Sequence, residues 1–139
     1  MLSQTAEYAL RAVLYLAEKA GDGPVRVEDV AEALSVPRNY LSKILHVLAR
    51  GGILASTRGP HGGFELAVPA NRLVLADVVG AFDELEGRGT CLLGRTSCSD
   101  RAPCAAHHRW KEVSDTVRSF FRHTTVAELF EQGAEAPTG

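Results

Sequence analysis

Three cysteines, Cys91, Cys98 and Cys104, lie within fourteen residues of one another. Their gaps of six and five residues are wider than the two-residue spacing of common zinc sites. Wide gaps suit a loop wrapped around a larger object, and iron–sulfur clusters are such objects, held by cysteine thiolates. Because the surrounding segment is rich in Gly, Ser and Thr, the three thiols cannot all belong to a core, and they predict a cofactor site.

Three cysteines leave one ligand position for another residue, and the sequence offers two candidates. His107 follows Cys104 by three residues, one turn along the same predicted helix, so both side chains can face one site. Glu7 lies at the edge of an apolar stripe, where a carboxylate is out of place. Each also has a plainer interpretation: His107 as a surface residue beside His108, and Glu7 as the i, i+4 ion-pair partner of Arg11.

The same cysteines permit a different function, a thiol redox switch without a cluster. Cys104 follows Pro103 at the N-terminus of a predicted helix, a position that favours the reactive thiolate form. An enzyme is disfavoured, because no nucleophile, catalytic base and orienting group occur together in the sequence.

A second group of residues predicts DNA binding. The chain has a formal net charge of −2, yet no acidic residue occurs between Glu32 and Glu65. Such a local basic surface is what phosphate binding needs, although solvated basic residues on a small helical domain are the plainer interpretation. Arg38 and Asn39 suit the reading of guanine and adenine edges, and Arg58 suits a narrow minor groove. The predicted DNA-contacting residues are Arg38, Asn39, Tyr40, Ser42, Lys43, Arg58, Gly59, His61 and Gly62.

The N-terminal half has the pattern of elements that would position these residues. Apolar periodicity predicts helices over 3–20, 27–34 and 37–50, and the last two, joined by a tight connection, make a helix-turn-helix. Strands are predicted over 53–57 and 64–68, on either side of a glycine-rich turn. A hairpin directly after a helix-turn-helix indicates a winged helix.

The C-terminal half predicts a helix over 73–85, a loop over 86–103 and a long helix over 104–122. A capping box of Thr125 and Glu128 begins a last short helix through Phe130. The long helix carries an apolar seam at three- and four-residue spacing, suited to a partner helix. The residues of this dimer seam are Trp110, Val113, Val117 and Phe120.

These elements define a mostly α fold with a small β-hairpin: a winged helix-turn-helix followed by a long C-terminal dimerisation helix. We expect a DNA-binding domain over 1–72, a linking helix, cysteine loop and dimerisation helix over 73–131, and a tail over 132–139. The chain has 139 residues, of which 45% are hydrophobic, enough for a real core. With neither a secretory signal nor an apolar run of the ~18 residues that span a bilayer, we expect a cytoplasmic protein.

The sequence resembles the Rrf-type winged-helix iron–sulfur transcriptional regulators, the family that includes IscR and the nitric oxide sensor NsrR. The likeness covers essentially residues 1–131. It is carried by the cysteine trio and the segment 104–110, together with EYALRA at 7–12, NYL at 39–41, RGPHGGF at 58–64 and TVAEL at 125–129. The arginine-glycine wing combined with three cysteines at this distance makes the resemblance specific.

The resemblance implies a homodimer joined through the long helix, double-stranded DNA with a palindromic operator, and a [2Fe-2S] or [4Fe-4S] cluster that sets DNA affinity. We therefore expect a transcriptional repressor that senses nitric oxide, redox state or cluster supply. His107 matches the histidine ligand of IscR-like members, and Glu7 matches the carboxylate that NsrR-like members contribute from the other subunit. The first cysteine gap is one residue wider than is usual in the family.

Overall fold

The computed structural model describes residues 2–82 and 107–129, with the backbone alone for residues 107 and 108. Three helices come first: α1 (Gln4–Glu18), α2 (Val27–Leu34) and α3 (Arg38–Arg50). The Ser3 side chain caps α1 by accepting a hydrogen bond from the Ala6 N–H at 3.1 Å. These bounds confirm the helices predicted from apolar periodicity to within about two residues, the ordinary uncertainty of helix ends.

A left-handed serine makes the turn between α2 and α3. Ser35 has φ 57°, and the Val36 N–H donates to the carbonyl of Ala31 at 3.0 Å, closing the end of α2. Val36 itself is buried, which fixes the angle at which the chain enters α3. The helix-turn-helix predicted from the sequence is therefore present.

The core forms where the apolar faces of α1 and α3 meet. Small residues on α1 let the two helices approach closely, and larger branched residues on α3 fill the space between them. The buried residues of the two faces are Ala6, Ala9, Ala12, Val13, Leu16, Leu41, Ile44, Leu45 and Leu48.

The hairpin consists of β1 (Leu54–Thr57) and β2 (Gly63–Leu66), paired antiparallel from Leu54 with Leu66 to Thr57 with Gly63. Near the turn, the start of β2 is joined to the segment before α2, because Val25 and Phe64 exchange two backbone hydrogen bonds of 2.9 and 2.8 Å. A side chain at Gly63 would clash with the carbonyl of Val25, so glycine is required at this crossing. The mostly α fold with one small two-stranded sheet matches the predicted winged helix.

The helix predicted over 73–85 is shorter in the structure, where α4 spans Leu75–Val79. Val74 is extended and forms a bridge with Thr125, so the chain cannot begin the helix at residue 73. Residues 81 and 82 form a turn, and residues 83–85 lie outside the described residues. The prediction was wrong about the start of α4 because the pairing partner of Val74, Thr125, lies 51 residues further along the chain.

The long helix α5 (His107–His123) returns the chain to α4 and closes the core. The Leu75 N–H donates to the Thr124 carbonyl at 2.9 Å, and the Val126 N–H donates to the Leu73 carbonyl at 2.8 Å. Phe121 and Val126 are buried in the same apolar cluster as α1 and α3. Within residues 2–82 and 107–129, no helix is both long and apolar enough to cross a bilayer.

The short final helix begins as predicted. Residues 126–129 are helical, and the hydroxyl of Thr125 accepts a hydrogen bond from the Glu128 N–H at 3.1 Å. The predicted loop over 86–103, the start of the long helix at 104–106 and the tail lie outside the described residues.

Candidate nucleic-acid interface

The outer face of α3 is polar and exposed along its first two turns. Arg38, Asn39 and Lys43 are exposed and Ser42 is half-buried, while the opposite face of the same helix lies in the core. The start of the second helix of a helix-turn-helix is the part that enters a DNA groove. The structure thus brings the predicted contacts of α3 together on one surface.

Arg38 is hydrogen-bonded to an acid on α2, a pairing that the sequence did not indicate. Its Nε donates to Glu28 Oε1 at 3.0 Å, and the other oxygen of Glu28 lies 3.7 Å from Arg26 Nε. The pKa of Glu28 is lowered, first by a hydrogen bond from its own backbone N–H and then by the hydrogen bond from Arg38. Glu28 precedes the stretch between Glu32 and Glu65 that contains no acidic residue. The turn between α2 and α3 nevertheless brings the start of α3 next to it.

Tyr40 connects α3 to α1. Its hydroxyl is hydrogen-bonded to Thr5 Oγ1 at 2.5 Å, and its ring meets the edge of the Tyr8 ring with centroids 5.7 Å apart. The Tyr8 hydroxyl in turn accepts a hydrogen bond from Gln4 Nε2 at 3.1 Å. The ring of Tyr40 remains partly exposed beside the other residues of the α3 face.

His46 connects α3 to the hairpin. Its Nδ1 lies 2.7 Å from the Ser42 carbonyl oxygen, and its ring lies at 84° to the buried ring of Phe64, with centroids 5.2 Å apart. The exposed face of α3 and the hairpin are therefore held together by packing as well as by the backbone.

The tip of the wing exposes three of its predicted contacts and buries the fourth. Arg58, Gly59 and His61 are exposed, whereas Gly62 is buried. The Gly62 N–H closes the turn by donating to the Gly59 carbonyl at 3.0 Å, and a side chain at Gly62 would clash with the Thr57 carbonyl. The structure gives Gly62 a role in the shape of the turn. His61 lines an open groove shared with Asp29 of α2.

The candidate cluster ligands are only partly described. Cys91, Cys98 and Cys104 lie outside the described residues, as does the side chain of His107 at the start of α5. In the parts of the chain that the structure describes, no group of three or more His, Cys, Asp or Glu residues could hold a metal.

Glu7 is exposed on α1, and Arg11 makes other contacts. The Arg11 guanidinium donates to the Leu34 carbonyl at 3.1 Å and lies 5.6 Å from the centre of the Tyr8 ring. No ion pair joins Glu7 to another residue within 2–82 or 109–129.

The predicted dimer seam on α5 is partly uncovered in the single chain. Val113 and Phe120 are 53% and 47% exposed, while Val117 packs against the core. Trp110 is half-buried. Phe121, which follows Phe120 in the chain, is buried at 8% exposure. The two adjacent phenylalanines therefore face opposite sides of α5, one towards solvent and one towards the core.

Comparison with known proteins decides the family. The family model of Rrf2, described as an iron-dependent transcriptional regulator, matches residues 2–132. The chain belongs to the Rrf2 family. This confirms the resemblance drawn from the wing and the cysteines, and it makes the chain a transcriptional regulator of a DNA-binding family rather than an enzyme.

The proteins similar to this Rrf2 protein include regulators named IscR and regulators named CymR. The HTH-type transcriptional regulator IscR of Pectobacterium atrosepticum is 34% identical over 128 residues, which are 92% of this chain and 77% of that protein. The structure of CymR, the global cysteine regulator of B. subtilis, has a TM-score of 0.80 at 21% identity and covers 95% of this chain and 97% of its own. The crystal structure of the oxidized form of Staphylococcus aureus CymR has a TM-score of 0.76 at 26% identity, and the match covers 100% of this chain and 99% of that chain.

Proposed function

We propose that this Rrf2 protein is a DNA-binding repressor whose affinity for a palindromic operator is controlled by an iron–sulfur cluster. The observation that carries the proposal is the trio Cys91, Cys98 and Cys104 in a chain of an iron-dependent regulator family with an IscR relative. Three thiolates are a donor set that fits an iron–sulfur cluster, of either the [2Fe-2S] or the [4Fe-4S] type. The signal is nitric oxide, redox state or cluster supply, and the protein acts in the cytoplasm, where thiols stay reduced.

For the fourth ligand we favour Glu7 over His107. The Glu7 carboxylate is exposed, and the cation that could have neutralised it, Arg11, is engaged with α2 and Tyr8. A carboxylate on α1 would also couple the cluster to the recognition helix, because the neighbouring Tyr8 contacts Tyr40 of α3. When bound, the cluster supplies a group that reacts with oxidants or nitric oxide, and its loss would release α1 from this constraint.

DNA would be read by the α3 face and the wing. The exposed side chains of Arg38, Asn39 and Lys43 support base or phosphate contacts, and the exposed Arg58 at a slim glycine turn supports entry into a minor groove. Tyr40, Ser42, Gly59, His61 and Gly62 complete the proposed interface, the last of them through the shape of the turn.

A homodimer would form along α5. Val113 and Phe120 leave an apolar strip on that helix, and a second copy of the strip would cover it, with Trp110 and Val117 alongside. Two-fold symmetry places two recognition helices about one DNA turn apart, which explains a palindromic operator. We propose a domain organisation in which residues 1–72 bind DNA, residues 73–131 carry the cysteines and the dimer contact, and residues 132–139 form a tail.

A cluster-free regulator with a thiol redox switch is the second candidate function. The likeness to the oxidized form of Staphylococcus aureus CymR favours it, since that structure records a redox state of a regulator with this fold. Cys104 would be the reactive thiol if it stands at a helix N-terminus.

Anaerobic purification with iron and sulfide analysis tests the proposal. We expect a coloured protein with iron and sulfide in equal amounts, and a change in operator affinity when nitric oxide or air removes the cluster. A variant with all three cysteines replaced by serine is the control and should be colourless. A colourless wild-type chain whose DNA affinity responds to a disulfide-forming oxidant would overturn the cluster in favour of the thiol switch.

A further inference from the structure

We propose that Glu28 is a positioning residue that aims the guanidinium of Arg38 at a guanine, so that this pair sets the base preference at one position of each half-site. The inference rests on the proposed function, because it needs α3 to lie in a DNA groove. It assigns a role in recognition to an acid on α2, outside the helix that reads the bases.

The geometry of the pair leaves the reading end of Arg38 available. Glu28 Oε1 accepts from Arg38 Nε at 3.0 Å, which is the nitrogen nearest the main chain. The two terminal amino groups are not used by this bond, and each carries N–H donors. Guanine offers two acceptors, O6 and N7, on its major-groove edge, and two parallel donors match them. Fixing Nε therefore turns a flexible cation into an oriented pair of donors.

The charges around Glu28 explain why an acid is tolerated on a DNA-binding surface. Arg26 Nε lies 3.7 Å from the second oxygen of Glu28, so two arginines share one carboxylate and the trio keeps a net positive charge. Pairing reduces the attraction of Arg38 for any phosphate, which is the part of DNA that carries no sequence information. The arrangement favours discrimination between bases over general affinity.

The pair gains strength only when DNA covers it. In the free chain the Arg38 and Glu28 side chains are 56% and 47% exposed, and exposed ion pairs contribute little to folding. Bound DNA would exclude water from the pair and strengthen its electrostatic attraction. Loss of Glu28 should therefore alter base preference while leaving the folded chain intact.

Asp29 provides a matched control. It is the other acid in the first turn of α2 and is also exposed, so Asp29→Asn and Glu28→Gln remove the same charge from the same place in the fold. Neither Arg26 nor Arg38 has an ion pair with Asp29 in the part of the chain that the structure describes. General electrostatic effects on DNA affinity should be equal in the two variants.

The test selects binding sites for the full chain from a random pool of double-stranded DNA. We expect the wild type and Asp29→Asn to recover the same palindrome with a guanine at one position of each half-site. Glu28→Gln should recover the palindrome with that preference reduced about fivefold or more, given that one good bidentate contact is worth roughly 5- to 150-fold in discrimination. Arg38→Lys should lose the preference too, and Glu28→Gln added to it should change nothing further.

Other outcomes overturn the inference. If Glu28→Gln keeps the guanine preference and changes the affinity for every sequence alike, as Asp29→Asn does, Glu28 acts only as a repelling charge. If the wild type recovers a palindrome and only the Glu28 result fails, the proposed function stands without this inference. If the wild type recovers no preferred sequence, both fail. Thermal unfolding of each variant at the wild-type temperature confirms that the fold is intact.

Discussion

The ring of Tyr40 on α3 stands at 89° to the ring of Tyr8 on α1, with their centroids 5.7 Å apart. The contact joins α3, the proposed recognition helix, to α1, which carries Glu7 one residue before Tyr8. The hydroxyl of Tyr40 also reaches Thr5, so the start of α3 is attached to the start of α1 at two points. These two contacts couple the position of α1 to the start of α3, and a test of the coupling follows from them.

Removing the hydroxyl of Tyr40 tests this attachment. Tyr40→Phe keeps the ring contact and loses the hydrogen bond to Thr5, so we expect the free energy of unfolding to fall by about 0.5–1.5 kcal/mol. Urea denaturation measures the change. Thr5→Val should cost a similar amount, and the double variant no more than either single one. Fully additive costs would show that the two hydroxyls do not depend on each other.

Arg58 at the tip of the wing should contribute to DNA affinity through its charge. We expect Arg58→Ala to weaken operator binding and to reduce the slope of log affinity against log salt by about one, as for the loss of one phosphate contact. Fluorescence anisotropy over a range of salt concentrations measures both quantities. Equal affinity for the two proteins at every salt concentration would remove Arg58 from the interface.

A charge on the apolar strip of α5 should separate the proposed dimer. Phe120→Asp places a carboxylate where a second copy would bury an aromatic ring, so sedimentation should show monomers. Ser119→Asp is the control, because Ser119 is exposed on the same helix outside the predicted seam. If Phe120→Asp sediments as a dimer, the subunits meet elsewhere.

Protonation of Glu28 should weaken its bond to Arg38. The pKa of Glu28 lies below its ordinary value of 4.5, so the bond's contribution to stability is present above that value and is lost as the pH falls through the lower, folded-state pKa. An NMR titration of the side-chain carboxyl should show this midpoint below 4.5. Arg38→Ala should raise it only part of the way, because the backbone hydrogen bond is the larger cause. An unchanged midpoint would remove Arg38 as a cause.

Ligand substitution should identify the fourth position of the proposed cluster. After anaerobic reconstitution with iron and sulfide, we expect Glu7→Ala to alter the spectrum and the nitric oxide response, while His107→Ala keeps both. The reverse result assigns the position to His107. Wild-type behaviour in both variants leaves the position to a small molecule or water. Each single cysteine variant should lose the chromophore, because it removes a thiolate from an iron.

The sequence was most informative where structure depends on neighbouring residues. Three- and four-residue periodicity located α1, α2 and α3, and the glycines from Gly59 to Gly63 located the turn of the wing. The extended Val74 was missed because its conformation is set by Thr125, and periodicity carries no information about so distant a partner. The bond between Glu28 and Arg38 was missed because it depends on the left-handed conformation of Ser35, which brings the start of α3 back to the start of α2. A serine at this position does not by itself predict that conformation.

The pairing of Leu73 and Leu75 with residues 124–126 has a consequence for synthesis of the chain. Val126 is fully buried, and its backbone N–H is hydrogen-bonded to the first segment after the wing. Contacts between residues this far apart form late, since the intervening chain must first be ordered. A nascent chain on the ribosome can fold its three N-terminal helices early, but it must emerge beyond residue 126 before α4 gains its full set of partners. Until then the part of α4 that α5 and residues 124–126 cover stays open to chaperones and proteases.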